Sequence, residues 1–184
     1  MVENFNLFVD LVLRAEGGLS NDTSDRGGLT NRGITAKTFQ DYINDAEDRD
    51  FPCSLEEASE RLYQISEQDA IQIYQCYYWD AVKADELPSG VDIILADWAV
   101  NSGPTSAITN LQELVLARPD GLLGPKTLLK VMNKPPKDLA FELYLRRLKS
   151  YRTIASMYDN KKFWRGWNNR ITTLFNELIK EGLV

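Results

Sequence analysis

The sequence predicts an all-α protein of seven to nine helices, with a glycine-rich loop or small β-hairpin after the first helix. Three observations predict it. Apolar residues recur at helical spacing through most of the chain. Helix starts and stops are marked by Ser or Thr caps, prolines and glycines. Five of the eleven glycines fall within residues 17 to 33, the one stretch without a helical pattern. With 184 residues and 43% hydrophobic content, the chain fits a single domain, 1–184, able to bury a core without disulfides. Within it, 1–88 would carry the first helix, the glycine-rich loop and the helices that follow. The remainder, 89–184, would carry a central helix and a further helical region.

The first helix is expected over Asn4 to Glu16, with Phe5, Phe8, Val9 and Val12 on one face, Asn4 as N-cap and Gly17-Gly18 as the stop. Residues 17 to 33 add Ser20, Asn21, Asp22, Ser24 and Asp25 to the glycines, a composition for turns. Thr35 can cap a helix from Ala36, and Ser54 with Glu57 forms a capping box for a helix through Leu62. Ser66 caps an aromatic-rich helix containing Ile71, Ile73, Tyr74, Tyr77, Tyr78 and Trp79, and Leu87-Pro88-Ser89-Gly90 breaks the pattern. The segment VDIILADWAVN, Val91 to Asn101, is apolar nearly all round and reads as the buried central helix, stopped by Ser102-Gly103-Pro104. Further helices are expected near 105–117, 125–133 and 136–157, and a last one from about Trp167 to Lys180.

The net charge of -6 argues against nucleic-acid binding, which needs a basic surface to neutralise phosphates. Arg146, Arg147, Lys149 and Arg152, then Lys161, Lys162, Arg165 and Arg170, make the last third more basic. They read as a solvated helix face or as a patch for an anionic polymer. No apolar run approaches a membrane span, and the N-terminus lacks the parts of a secretory signal, so synthesis as a soluble cytoplasmic protein without stable membrane insertion is expected. A monomer is the expected state. Cys53 and Cys76 have neither metal-finger nor redox spacing and read as two thiols, each buried or half-buried. The chain has no histidine, which excludes Ser-His-Asp and Cys-His catalysis and the usual zinc sites. No metal is expected, and acid–base chemistry is left to carboxylates, Lys, Tyr or Cys.

Among the carboxylates Glu16 stands out. It continues the stripe of Val9 and Val12 at the C-terminal end of the predicted first helix, where desolvation and the negative end of the dipole both raise a carboxyl pKa. A carboxylic acid still protonated near neutral pH is what protonation of a glycosidic oxygen requires. Asp25 follows nine residues later inside the glycine-rich stretch, and Thr30 five beyond that. If that stretch folds back over the helix end, Asp25 faces Glu16 across room for a water. Otherwise Asp25 is a turn residue and Thr30 a strand residue.

The run Glu16-Gly17-Gly18-Leu19-Ser20-Asn21, with Asp25, Gly27-Gly28, Thr30, Asn31, Gly33, Ile34 and Thr35, resembles the signature of glycoside hydrolase family 108. This is the phage-endolysin and secretion-activator type of N-acetylmuramidase. Tyr77-Tyr78-Trp79-Asp80, Asp97-Trp98-Ala99-Val100-Asn101-Ser102-Gly103, Asp120-Gly121 with Gly124-Pro125-Lys126-Thr127, and Arg165-Gly166-Trp167-Asn168-Asn169-Arg170 resemble its later motifs in order. The resemblance implies a lysozyme-like fold with a peptidoglycan-binding region in the second half. It implies hydrolysis of the β-1,4 bond between N-acetylmuramic acid and N-acetylglucosamine, without a cofactor. It also implies Glu16 as catalytic acid, with Asp25 and Thr30 in the places of the Asp and Thr that follow the glutamate in phage-type lysozymes. Arg26 departs from the proline common there. Peptidoglycan is the implied partner, and a holin-type membrane protein the implied route to the periplasm. Asn101, able to hydrogen-bond an N-acetyl group, is the first candidate for sugar binding, with Tyr78 and Asn168 ranked below it; Trp79, Trp98, Trp164 and Trp167 are candidates for stacking, although Trp98 reads first as a core residue. A lytic transglycosylase or chitinase-type hydrolase on the same scaffold, and a non-catalytic wall-binding or secretion-accessory module, are the rival readings.

Overall fold

A computed structural model describes residues 2–15, 20–21, 29–47, 51–157 and 161–184. Nine α-helices and three short strands are present among them. Backbone contacts divide the chain into two compact units, Val9–Cys76 and Met1–Phe8 with Tyr77–Val184. Helix α1 (Val2–Ala15) spans the division.

In the unit Val9–Cys76, strands β1 (Ser20–Asn21), β2 (Leu29–Asn31) and β3 (Ile34–Thr35) form an antiparallel sheet in sequence order. The turn between β2 and β3 holds Arg32 at φ 50° and Gly33 at φ 74°. Two positive φ values in a two-residue loop make a type I′ turn, whose twist matches the flanking strands. Glycine takes such a conformation without cost, whereas arginine needs support. The Tyr74 hydroxyl supplies it by donating to the Arg32 carbonyl at 2.5 Å. Asn31 ties the same hairpin down, since its Nδ2 donates to the carbonyls of Leu62 at 2.9 Å and Tyr63 at 3.3 Å. These lie at the C-terminal end of α3 (Leu55–Leu62), where carbonyls lack helical partners.

The expected caps are in place. Thr35 accepts from the Thr38 amide to start α2 (Ala36–Ala46), Ser54 from Glu57 to start α3, and Ser66 from Asp69 to start α4 (Glu67–Tyr74). Beyond Tyr74 the aromatic run winds into a π-helical turn, Gln75–Trp79, so the predicted single helix is two pieces. Cys53 is buried as expected, but Cys76 is exposed, on the solvent side of the π-helical turn that buries Trp79.

The other unit is organised by α5 (Val91–Ser102), whose residues Val91 to Ala99 are buried on every side. Helix α6 (Pro104–Leu114) and the long α8 (Pro136–Met157) pack on α5, and α9 (Lys161–Lys180) packs on α8. Phe5 and Phe8 of α1 pack on Trp79, each with ring centroids 5.5 Å away. Asn4 is not the N-cap expected of it. The helix starts at Val2, and Asn4 spends its amide on Asp92 at 2.6 Å and Ser89 at 3.0 Å, tying α1 to the start of α5.

The turn before α7 (Pro125–Met132) is built around Gln112, only 1% exposed. Its Nε2 donates to Asp120 at 2.8 Å and to the Leu122 carbonyl at 3.0 Å, and its Oε1 accepts from the Gly121 amide at 2.9 Å. The Asp-Gly-Leu-Leu-Gly-Pro stretch is thus wrapped on one buried amide. Helix α9 starts earlier than Trp167, because Phe163 and Trp167 stack at 5.8 Å one turn apart and carry the helix across Gly166.

Candidate functional site

The C-terminal half of α5 carries Asp97, Trp98 and Asn101, and the structure gives each a different environment. Asp97 is 1% exposed and meets two guanidiniums. Arg170 of α9 reaches it with Nη2 at 2.7 Å and Nε at 3.2 Å. Arg147 of α8, 0% exposed, approaches with Nη1 at 2.6 Å, an ion-pair contact whose angle is not that of a hydrogen bond. Burial alone pushes the Asp97 carboxyl up, but Arg170 and Arg147 together outweigh it and hold the group below the usual carboxylate range.

The same Arg147 reaches the end of α5. Its Nη2 donates to the Asp97 carbonyl at 3.2 Å and to Asn101 Oδ1 at 2.6 Å, while its Nε donates to the Tyr151 hydroxyl at 2.9 Å. Tyr151 in turn lies 3.1 Å from Asn101 Oδ1, and its ring stacks on Trp167 at 5.4 Å. Burial pushes the Tyr151 phenol up, so the hydroxyl keeps its proton. Asn101 itself is exposed, just before Gly103. Gly103 has φ 81° and ψ 151°, a backbone essentially reserved for glycine, and it both ends α5 and starts α6.

The sequence-predicted residues therefore fall out unevenly. Asn101 stands at an exposed helix end on a buried ionic cluster. Trp98 is 1% exposed and belongs to the core, so in this structure it presents no face to a sugar; a helix apolar all round leaves no exposed side for it. Tyr78 is half-buried in the π-helical turn, and such turns recur at functional sites. Asn168 is half-buried on α9. Thr30 is half-buried in β2, opposite Ser20 on one side and Thr35 on the other. Glu16 and Asp25 lie outside the described residues; α1 ends at Ala15, immediately before Glu16 in the chain.

The basic residues of the last third also divide. Arg147 and Arg170 are internal, not part of a solvated face. The sequence does carry a signal for Arg147, since Leu139, Leu143, Arg147, Tyr151 and Ala155 recur every fourth residue along the buried stripe of α8. Arg146 and Lys149, with Asn110 and Thr153, line a polar groove in which Arg146 Nε donates to Asn110 at 3.0 Å. Arg152 lies over the Trp164 ring, 5.8 Å from its centroid. The side chains of Lys161 and Lys162 lie outside the described residues.

Two family models match the chain. The one described as glycosyl hydrolase 108 covers residues 9–103, and the one described as a predicted peptidoglycan domain covers 106–172. No curated protein matches the chain by sequence. Among solved structures it is similar to that of Brucella abortus SagA, with 28% identity, a TM-score of 0.83, and coverage of 98% of this chain and 96% of that one. With one model spanning the segment from α1 to the end of α5 and the other following from α6 into α9, the chain belongs to glycosyl hydrolase family 108 and is a peptidoglycan hydrolase of the lysozyme type.

Proposed function

We propose that the protein is an N-acetylmuramidase that cleaves the β-1,4 bond between N-acetylmuramic acid and N-acetylglucosamine with inversion at the anomeric carbon. The observation that carries this reading is the pair of carboxylates at the head of the family match. Glu16 directly follows α1, and Asp25 comes nine residues later, before the strand that holds Thr30. Glu16 protonates the leaving oxygen, while Asp25, with Thr30, holds a water that attacks from the opposite face. A water-using pair needs carboxyl groups about 6.5 to 9.5 Å apart, against about 5 Å for a covalent retaining pair. Asn101, Tyr78 and Asn168 contact the glycan. The enzyme acts on periplasmic peptidoglycan as a monomer, released to it by a holin-type membrane protein. Phe8 and Val12 of α1 are fully buried, which supports a first helix that works as part of the fold.

The test is the chemistry of the new chain ends. Purified peptidoglycan digested with the enzyme should yield reducing-end N-acetylmuramic acid, first formed as the α-anomer. Anhydro-muramic ends, with activity kept in Asp25→Asn, identify a lytic transglycosylase. Wall binding without new ends identifies a non-catalytic module.

A further inference from the structure

The hydrogen bonds around Asn101 fix which way its amide points. A guanidinium only donates, so the Tyr151 hydroxyl must accept from Arg147 Nε and spend its one proton on Asn101. Arg147 Nη2 also donates to the same Asn101 atom, at 2.6 Å. Two donors converge there, one of them charged, and only the carbonyl oxygen can receive both. The flipped amide sets an NH2 group against a guanidinium N–H and a hydroxyl proton, and loses both bonds. The orientation therefore follows from the chemistry of the partners.

The partners are themselves fixed. Arg147 is wholly buried and is clamped by the Asp97 carboxylate and the Asp97 backbone carbonyl. Tyr151 is stacked on Trp167. With Oδ1 held inward, Nδ2 is the outward atom of an exposed side chain, and it has no hydrogen-bond partner among the described residues.

We propose that Arg147 and Tyr151 are positioning residues that lock the Asn101 amide as an outward hydrogen-bond donor, and that this donor selects the acetamido carbonyl of an N-acetylated glycan. The inference rests on the peptidoglycan reading for its ligand class. An amide clamped at its oxygen presents two N–H groups and no acceptor, so it suits a carbonyl oxygen and rejects a donor. A 2-acetamido group offers a carbonyl; the same sugar without its acetyl group offers an ammonium, a donor only. The clamp also removes the rotamer freedom that an exposed asparagine otherwise loses on binding.

Asn101→Asp separates the two halves of this claim. The carboxylate still accepts from Arg147 and Tyr151, so the fold is kept, but the outward donor becomes an acceptor. The experiment measures binding, independently of hydrolysis, of a soluble N-acetylglucosamine–N-acetylmuramic acid tetrasaccharide and of its de-N-acetylated counterpart. Salt is set high enough to screen the amines. The native protein should prefer the acetylated glycan. Asn101→Asp should melt no lower than the native protein, bind the acetylated glycan on the order of 10- to 100-fold more weakly and lose the preference. Tyr151→Phe should shift affinity the same way by a smaller factor, and the loss in hydrolysis should fall on KM more than on kcat. Unchanged affinity and preference in a folded Asn101→Asp overturns the proposal, as does a collapse of the fold in that variant. A Tyr151→Phe that changes stability alone removes Tyr151 from the positioning role. Acetyl-dependent binding without any cleavage leaves this inference standing and rejects the enzyme reading.

Discussion

Replacing Asp97 by Asn removes one negative charge from a cluster that holds two positive ones. In the native protein the carboxylate meets Arg147 Nη1 at 2.6 Å and Arg170 Nη2 at 2.7 Å, with Arg147 out of contact with water. The asparagine keeps the shape and one acceptor but leaves two guanidiniums facing each other across a neutral group. Breaking a buried ion pair by removing one partner costs about 3–5 kcal/mol, because the remaining charge stays desolvated and uncompensated. That is about a fifth or more of the ordinary stability of a domain, about 5–15 kcal/mol. For a chain of this size it lowers Tm by roughly 6–20 °C. Thermal melts followed by far-ultraviolet circular dichroism, with urea titrations at the same pH, measure it. Arg170→Met is the control, since it leaves Asp97 and Arg147 as a neutral pair and should cost distinctly less. An Asp97→Asn protein that melts within 2 °C of the native one, a margin set by the roughly 2–4 °C per kcal/mol expected at this size, rules out a cluster held together by this charge. So does an Arg170→Met protein that loses as much as Asp97→Asn.

Three further outcomes follow from the same geometry. Because the Asp97 carboxyl is held below its ordinary value near 3.9, its contribution is fully present above that pH and is lost as pH falls through the depressed folded value. Native urea midpoints should therefore drop more steeply below about pH 4 than those of Asp97→Asn, and parallel curves contradict it. Leu116 sits at φ 56° and is exposed, so Leu116→Gly should raise stability by roughly 1 kcal/mol by relieving a left-handed residue; a lower Tm counts against that view. Tyr74→Phe removes the bond that supports Arg32 at positive φ and should cost about 1–2 kcal/mol, read by chemical denaturation, with no change in melting as the contrary result.

Much of the architecture was legible because short-range physics decides it. Thr35, Ser54 and Ser66 announced their helices through hydroxyls that satisfy first-turn amides, and the structure uses all three. The unbroken apolar run of α5 could only be central. Asn4 misled because capping and tertiary pairing draw on the same side-chain chemistry, and Asp92 and Ser89 lie too far along the chain for local reading to find them. The basic face held for Lys149, Arg152 and Arg165, which are exposed, and failed for two arginines for a related reason. Arg147 and Arg170 look like surface residues until Asp97, 50 and 73 positions away, supplies their counter-charge. Trp98 was open to two readings, core or sugar stacking, and its position on the all-apolar α5 decides for the core, while its neighbours Asp97 and Asn101 are polar and placed by Arg147.

Glu16, proposed as the acid of this glycan-cleaving enzyme, is tested by counting the chain ends it produces. Purified peptidoglycan is incubated with the native protein and with Glu16→Gln, each verified as folded by its melting curve, and new reducing-end muramic acid is counted over time. Release should be steady with the native protein and at least about 100-fold lower with the variant, whose amide cannot give up a proton. Equal release by the two proteins contradicts that role.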